Sequence, residues 1–367
     1  MGRETAPLTL TREDDLNIGF ISGHACMRCQ KMAIPLVERG HKVHMVAAKI
    51  PTFMERYDTF YMCAGINHYI EAIEHLSNVV DVFHVHNEPS WFVTAIKERH
   101  PEIPVILDVH DSYLARMTPD EEKNFRKEGA LVSRVRIEER NNFQLADGLV
   151  FVGKTFGENI CKEFKLDQPS ITLPSYLPRQ LYNYRGAGWL GDLVYEGRVD
   201  LPSATKDTNY GFRYCDYLQV AADCAALDMN FHIYGPQTAG EEFQEEYKDI
   251  AVLHEGRPFS SLLKAIGRHD WGLVGNVFPT PEWDVAMPNK LFDYLAASVP
   301  VCVINAKECA ELVEAYGVGI VVGSIQELAE RWGEHRECRK NVIKFRQEFA
   351  MENHIDKLEG LYDVVSK

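Results

Sequence analysis

The sequence predicts an α/β protein built from two doubly wound parallel-sheet domains, and three observations lead to that expectation. The 367 residues, 46% of them hydrophobic, exceed one ordinary core and call for two domains of about 150 to 200 residues each. Short β-branched apolar runs alternate with helical patterns along the chain, which is βαβ order. The alternation is broken between Leu173 and Gly188, where "LPSYLPRQLYNYRGAG" brings prolines, tyrosines and glycines together as an interdomain connection does.

The first half opens with "LNIGFISG", passes through a helix-like stretch to Gly40, and continues with "HKVHMVAA", "VVDVFHVHN", "PVILDVHDS" and "DGLVFVG". These runs carry polar residues at their C-terminal ends, the edge of an open parallel sheet where ligands bind. After the connection the pattern restarts with "DLVYEGRV", "NFHIYGP", "IAVLHEG", "DWGLVGN", "VPVCVIN" and "VGIVV", separated by amphipathic segments such as "RYCDYLQVAADCAALD". Two domains with a cleft between them follow, and neither a short-period repeat nor a low-complexity tract interrupts them.

The charge balance limits the partners. With 54 acidic against 39 basic side chains the formal charge is −15, which repels phosphate backbones and anionic leaflets unless bases are locally concentrated, so a nucleic-acid polymer is not the default partner. The nine cysteines follow no framework of regular spacings, which points to a reducing cytoplasm. The N-terminal "MGRETAPLTLTREDD" lacks an apolar signal core, and no transmembrane segment of roughly 18 apolar residues occurs, so the chain reads as soluble. In "EEKNFRKEGALVSRVRIEER", Lys123, Arg126, Lys127, Arg134, Arg136 and Arg140 are interleaved with glutamates. A peripheral membrane contact or an anionic acceptor is compatible with this region, but a solvated helix face is the simpler reading.

The segment "SGHACMRCQK" holds Cys26 and Cys29 three apart. From Cys26 the apolar positions run Cys29, Met32, Ala33, Leu36 and Val37, the spacing of one buried helical face. A single C-x-x-C falls short of the four ligands of structural zinc, and a redox pair at a helix N-terminus is the alternative to packing. The preceding loop "SGHA" lies between the first strand and the first helix, where free N–H groups suit a phosphate. It is not a dinucleotide fingerprint, because Gly23 lacks the second and third glycines at the required offsets.

The most specific stretch is "MPNKLFDYLAASVPVCVINAKECAELVEAYGVGIVV", Met287–Val322. It resembles the donor-binding segment of GT-B glycosyltransferases of the group 1, or family 4, kind, in which P-x-K-x-x-E-Y-L-A-x-x-x-P-V is common. "RGHKV", "DVFHVHN", "DVHDS", "ADGLVFVGKTFGENI", "YEGRV", "HIYG" and "LEGLYDVV" follow in that family's order, so the resemblance covers nearly the whole chain. It implies an acceptor-side Rossmann-like domain over residues 1–178, a donor-side one over 179–345, and a helix over 346–367 crossing back to the first. It also implies transfer of a sugar from a UDP- or GDP-linked donor, with anomeric retention and without a cofactor or essential metal.

The resemblance assigns roles residue by residue. Asp293 stands at the second acid of the family's E-x7-E pair and would hold the ribose hydroxyls. The first acid falls at Val285, which cannot hydrogen-bond a sugar, so the backbone at Ala286 and Met287, or Glu282 or Asp284, would take over that task. Asn289 and Lys290 follow Pro288 at a helix start, where a cation and the positive dipole end meet the diphosphate. Arg198, after Gly197 in "YEGR", supplies planar donors for phosphate oxygens. Lys206 is the nearest candidate for the companion lysine, with Arg213 behind it. Gly23, His24, Gly235 and Leu291 complete the donor set. His110 matches a family histidine near the reaction centre, while His86 and Asn87 are acceptor-side candidates.

No protein nucleophile is implied, because the donor phosphate can accept the acceptor's proton on the same face. Electrostatic preorganisation by Lys290, Arg198 and the helix N-terminus carries the chemistry, and domain closure excludes water. The acceptor stays open among a saccharide, a lipid-linked sugar, a protein, a small metabolite and a modified nucleobase. A nucleotide-sugar 2-epimerase of the same fold, or a catalytically impaired nucleotide-sugar-binding protein, are the alternatives, the second motivated by Val285.

Overall fold

A computed structural model of the chain describes residues 15–86, 91–110, 112, 131–182, 190–201, 215–236 and 238–367, without the side chains of 131–137. Asn87, Lys206 and Arg213 lie outside the described residues, as do Lys123, Arg126, Lys127 and the side chains of Arg134 and Arg136. The chain divides into two compact units. One is drawn from Met1–Asp111, Ile137–Leu173 and Met351–Lys367, the other from Ser112–Arg136 and Pro174–Ala350.

In the first unit the described strands are β1 (Asn17–Ser22), β2 (Lys42–Ala47), β3 (Thr59–Met62), β4 (Val82–His86), β5 (Val105–Val109), β6 (Gly148–Phe151) and β7 (Ser170–Thr172). They pair in the order β3-β2-β1-β4-β5-β6-β7, all parallel. The central strands β4 and β5 are buried at every residue, as strands covered by helices on both faces must be. The order reverses between β1 and β4, and the crevice at the C-terminal ends of such a pair is where open α/β sheets bind ligands. The helix Met27–Glu38, which contains Pro35, starts there.

The last helix of the chain, Ile355–Val365, packs on this first sheet. It buries Ile355, Leu358, Leu361 and Tyr362, and the Tyr362 hydroxyl lies 2.8 Å from Nδ1 of buried His84 on β4. At the helix edge Arg39 pairs with Asp356 and Glu359, and His41 Nε2 lies 3.0 Å from Glu359.

In the second unit β8 (Leu193–Glu196), β9 (Phe231–Tyr234), β10 (Val252–His254), β11 (Trp271–Gly275), β12 (Val301–Ile304) and β13 (Gly319–Val321) pair in the order β10-β9-β8-β11-β12-β13, again all parallel. Tyr195, Tyr217, Phe231 and Trp271 anchor the core. The helix Asn289–Ala296 is clamped to the sheet by Tyr294. Its hydroxyl accepts from the Glu196 amide at 3.0 Å and donates to the Val194 carbonyl at 3.3 Å. The ring fits only because residue 272 is glycine, since a Cβ there would lie 2.4 Å from the ring. Among the described residues no helix is long and apolar enough to cross a membrane.

Candidate active site

The second unit gathers the donor-side candidates at the C-terminal ends of β8 and β9 and at the start of the Asn289–Ala296 helix. Gly197 takes φ +128°, which an L side chain rarely adopts, and its amide donates to the Tyr234 carbonyl at 2.9 Å. That turn brings residue 197 beside Lys290: a Cβ added there would lie 3.5 Å from Lys290 Nζ. The ammonium stands 4.9 Å from the Tyr195 ring centroid and 5.6 Å from that of Trp283, so two aromatic faces position it. No side chain caps the helix at Pro288, and its first-turn amides add positive potential at the same end.

Arg198 is 54% exposed at its side chain and donates from Nε to Asp200 at 2.6 Å. This ion pair holds the guanidinium just beyond the C-terminal end of β8. Lys290, Asp200, Glu282 and Arg198 all act electrostatically on the Cys215 thiol, which puts Glu282, one substitute for the acid missing at Val285, in one charged constellation with both bases. Asp293 is buried, so it is not an ordinary exposed helical aspartate. Leu291 and Met287 are core side chains, leaving their backbone as the part that a ligand can reach. Asn289 is exposed at the helix start, and Gly235 follows β9, where its carbonyl accepts from the Thr238 hydroxyl at 2.8 Å. The exposed Arg257, in a second "EGR", stands 5.5 Å from the Tyr234 ring centroid and was not singled out from the sequence.

The first unit holds a different arrangement at the ends of β1, β4 and β5. Gly23 is half-buried, and its carbonyl accepts from the Ala48 amide at 3.3 Å; His24 is exposed. Behind this loop Arg28 donates from Nε to both oxygens of Asp108, at 2.8 and 2.9 Å, with the two side chains 1% and 0% exposed. Asp108 also accepts from His110 Nδ1 at 2.9 Å. His110 in turn hydrogen-bonds Cys26, whose sulfur lies 3.3 Å from that of Cys29. Arg28, Asp108, His110 and Cys26 therefore form a chain of alternating charge.

The titration shifts fit that alternation. Burial favours a neutral Asp108, but the Arg28 and His110 charges override it and hold the carboxyl well below its usual range. Burial works against a charged His110 too, yet its bonds to Asp108 and Cys26 push it up to about 10. The Cys29 thiol donating to Cys26, followed by His110, holds Cys26 well below the ordinary thiol range in spite of desolvation, whereas burial pushes Cys29 well above it. Packing by periodicity therefore accounts for buried Cys29 but not for half-buried Cys26.

His86 differs from the acceptor-side expectation. Its ring is wholly buried, stacked 4.3 Å from His84 and edge-on to Phe20 at 4.6 Å, so it supports the sheet edge from within. Burial keeps His84 and His86 neutral, lowering His84 to about 4 and His86 well below its ordinary value. His84, His86 and Asp108 bring three potential metal-ligand atoms within 4.8 Å of one another. Arg28 already spans both oxygens of that carboxylate, however, so a guanidinium holds the position where a metal ion would need to bind.

Comparisons with known proteins agree with this architecture. Residues 217–357 match the family described as Glucosyltransferase 3-like, C-terminal domain. No curated protein sequence matches the chain. Among solved structures, the sucrose-phosphate synthase of Thermosynechococcus elongatus superposes with a TM-score of 0.74 at 14% identity, covering 95% of this chain and 98% of that one. WaaG, a glycosyltransferase of lipopolysaccharide biosynthesis, gives 0.59 at 12% over 95% and 99%. An alpha-glucosyltransferase in complex with UDP and DNA containing an HMU base gives 0.60 at 12% over 96% and 100%. The fold is GT-B, and together with the family match over residues 217–357 it places the chain in the class of glycosyltransferases.

Proposed function

We propose that this enzyme transfers a hexose, glucose by preference, from a uridine diphosphate sugar to an acceptor hydroxyl, with retention at the anomeric carbon and without a metal. The observation that carries the reading is Lys290. One ammonium is fixed over Tyr195 and Trp283, beside Gly197, on the first turn of a helix with no side-chain cap. Such a point charge neutralises a departing diphosphate without metal help. Arg198 adds planar donors at the end of β8, and buried Asp293, one turn along from Lys290, provides the carboxylate for the ribose. The UDP complexes of the alpha-glucosyltransferase and the glucosyltransferase 3-like match favour uridine over guanosine and glucose over other sugars.

In this reading the first unit supplies the acceptor side. His110, held by Asp108, follows β5, and His24 lies in the loop after β1, so both stand beyond strand C-termini, the ligand edge of such a sheet. The paired carboxylates of glycoside hydrolases have no counterpart in the assigned set, so no protein nucleophile is invoked.

Calorimetric titration of UDP, GDP and their sugars tests the donor, and Asp293→Ala should weaken UDP binding by about 1.5 to 3 kcal/mol, the range for a hydrogen bond to a charged group. Incubation with UDP-glucose and an acceptor panel, followed by NMR of the product, should yield UDP and a retained anomeric configuration, unchanged by chelator. A donor sugar converted with no UDP released would overturn the transfer reading.

A further inference from the structure

The transfer chemistry uses no thiol, yet one of the nine cysteines is set apart. Cys63, Cys161, Cys215, Cys224, Cys302, Cys309 and Cys338 all have their thiols pushed up by burial, which favours the protonated, less nucleophilic form. Cys26 is instead half-buried, caps the Met27–Glu38 helix, and hydrogen-bonds His110, which Asp108 orients. The order Cys26–His110–Asp108 is that of an activated nucleophile, its base and the group that positions the base. Cys29, one turn further into the helix, is fully buried with its sulfur 3.3 Å from that of Cys26.

We propose that Cys26 and Cys29 form a thiol–disulfide exchange site, in which Cys26 attacks a low-molecular-weight disulfide from solvent and Cys29 resolves the product into an intrachain Cys26–Cys29 disulfide. In the first step the Cys26 sulfur bonds to one sulfur of the small disulfide, whose S–S bond breaks and releases one thiolate. In the second the Cys29 sulfur attacks Cys26 and expels the other. Two electrons pass from the protein to the small disulfide. One proton from Cys29 and one from the His110 imidazolium convert the two leaving groups to thiols.

The geometry gives each cysteine one part. Cys26 is reachable and Cys29 is not, so the mixed disulfide forms on Cys26, and closing the sulfurs from 3.3 Å to a bonded distance of about 2.05 Å moves only the residue at the helix cap. Oxidation also removes the thiolate that helps hold His110 doubly protonated, so the site couples thiol redox state to the charge of His110.

The test uses the full reduced chain and glutathione disulfide, with thiols trapped by alkylation and peptides mapped by mass spectrometry. The wild type should give a Cys26–Cys29 link, Cys29→Ser should stop at a glutathione adduct on Cys26, and Cys26→Ser should give neither. In the wild type, iodoacetamide should modify Cys26 before any other cysteine, with a pH midpoint well below the usual thiol value of about 8.5. Adducts spread over other cysteines, no link between Cys26 and Cys29, or an ordinary alkylation midpoint would overturn the proposal. The wild-type measurements need no substitution and no sugar substrate, so neither a misfolded variant nor a failed transferase assay obscures the result.

Discussion

Gly197 and Lys290 occupy their positions jointly: the backbone at residue 197 runs at φ +128°, and a Cβ on it would lie 3.5 Å from the lysine Nζ. A side chain there meets a conformation that costs on the order of 1–3 kcal/mol for an L residue and comes into van der Waals contact with the ammonium. Gly197→Ala should lower the thermal midpoint by a few degrees and weaken UDP binding more than Arg198→Ala does, as differential scanning fluorimetry and calorimetry would record. Unchanged UDP affinity in the alanine variant would remove this contact from the donor site.

Lys290 should act on the chemical step more than on binding, because the negative charge it faces grows as the glycosidic bond breaks. Lys290→Ala is expected to lower kcat on the order of 100-fold with a much smaller rise in donor KM. Lys290→Arg should recover only part, since a planar fork replaces a compact charge held between Tyr195 and Trp283. Single-turnover rates at saturating donor decide this: a wild-type rate for the alanine variant transfers the leaving-group role to Arg198.

Arg28 and Asp108 make a stability prediction. Both are buried, and removing one partner leaves the other charge uncompensated, so Arg28→Met should cost about 3–5 kcal/mol by denaturant titration. The double change Arg28→Met with Asp108→Asn should recover much of that loss, and strictly additive losses would show that the pair is not energetically coupled.

Stability should fall on the acid side. Burial lowers His84 to about 4 and His269 to about 3, against about 6.5 in an unfolded chain. The unfolded chain thus binds protons that the native state refuses, and the stability present above about pH 6.5 is lost as the pH falls toward 4, by at most roughly 1.4 kcal/mol per pH unit for each histidine. His110, raised to about 10, has the opposite sign: its contribution is complete below about pH 6.5 and is lost as the pH rises through about 10. Melting curves from pH 4 to pH 7 check the acid limb, and a flat profile would contradict the buried neutral histidines.

The fold was legible because parallel strands covered on both faces read as continuous apolar runs, and the "MPNK" segment marked the start of the Asn289–Ala296 helix. The same continuity hid the inner arrangement. A strand buried on both sides carries no alternation to say which way a histidine at its end points, which is why His86 was expected at the ligand edge and lies in the core. Arg28 and Asp108 are 80 positions apart, and nothing local in either segment announces their pairing. Cys26 shares an apolar periodicity with Cys29, and nothing local in that segment announces the His110 that lies beside it and lowers its thiol pKa.

The helix Ile355–Val365 closes the first sheet with residues made after all of that sheet's strands, and Tyr362 reaches back 278 positions to His84. A ribosome therefore releases every strand of that sheet before the piece that covers it exists. Pro174–Ala350 intervenes and can fold on its own contacts meanwhile, so the first unit must wait, partly uncovered, until that helix is made. Contacts of such long sequence separation slow folding and expose apolar surface to aggregation. Fragments of this protein cut before residue 351 should accumulate as chaperone clients even though all their strands are present.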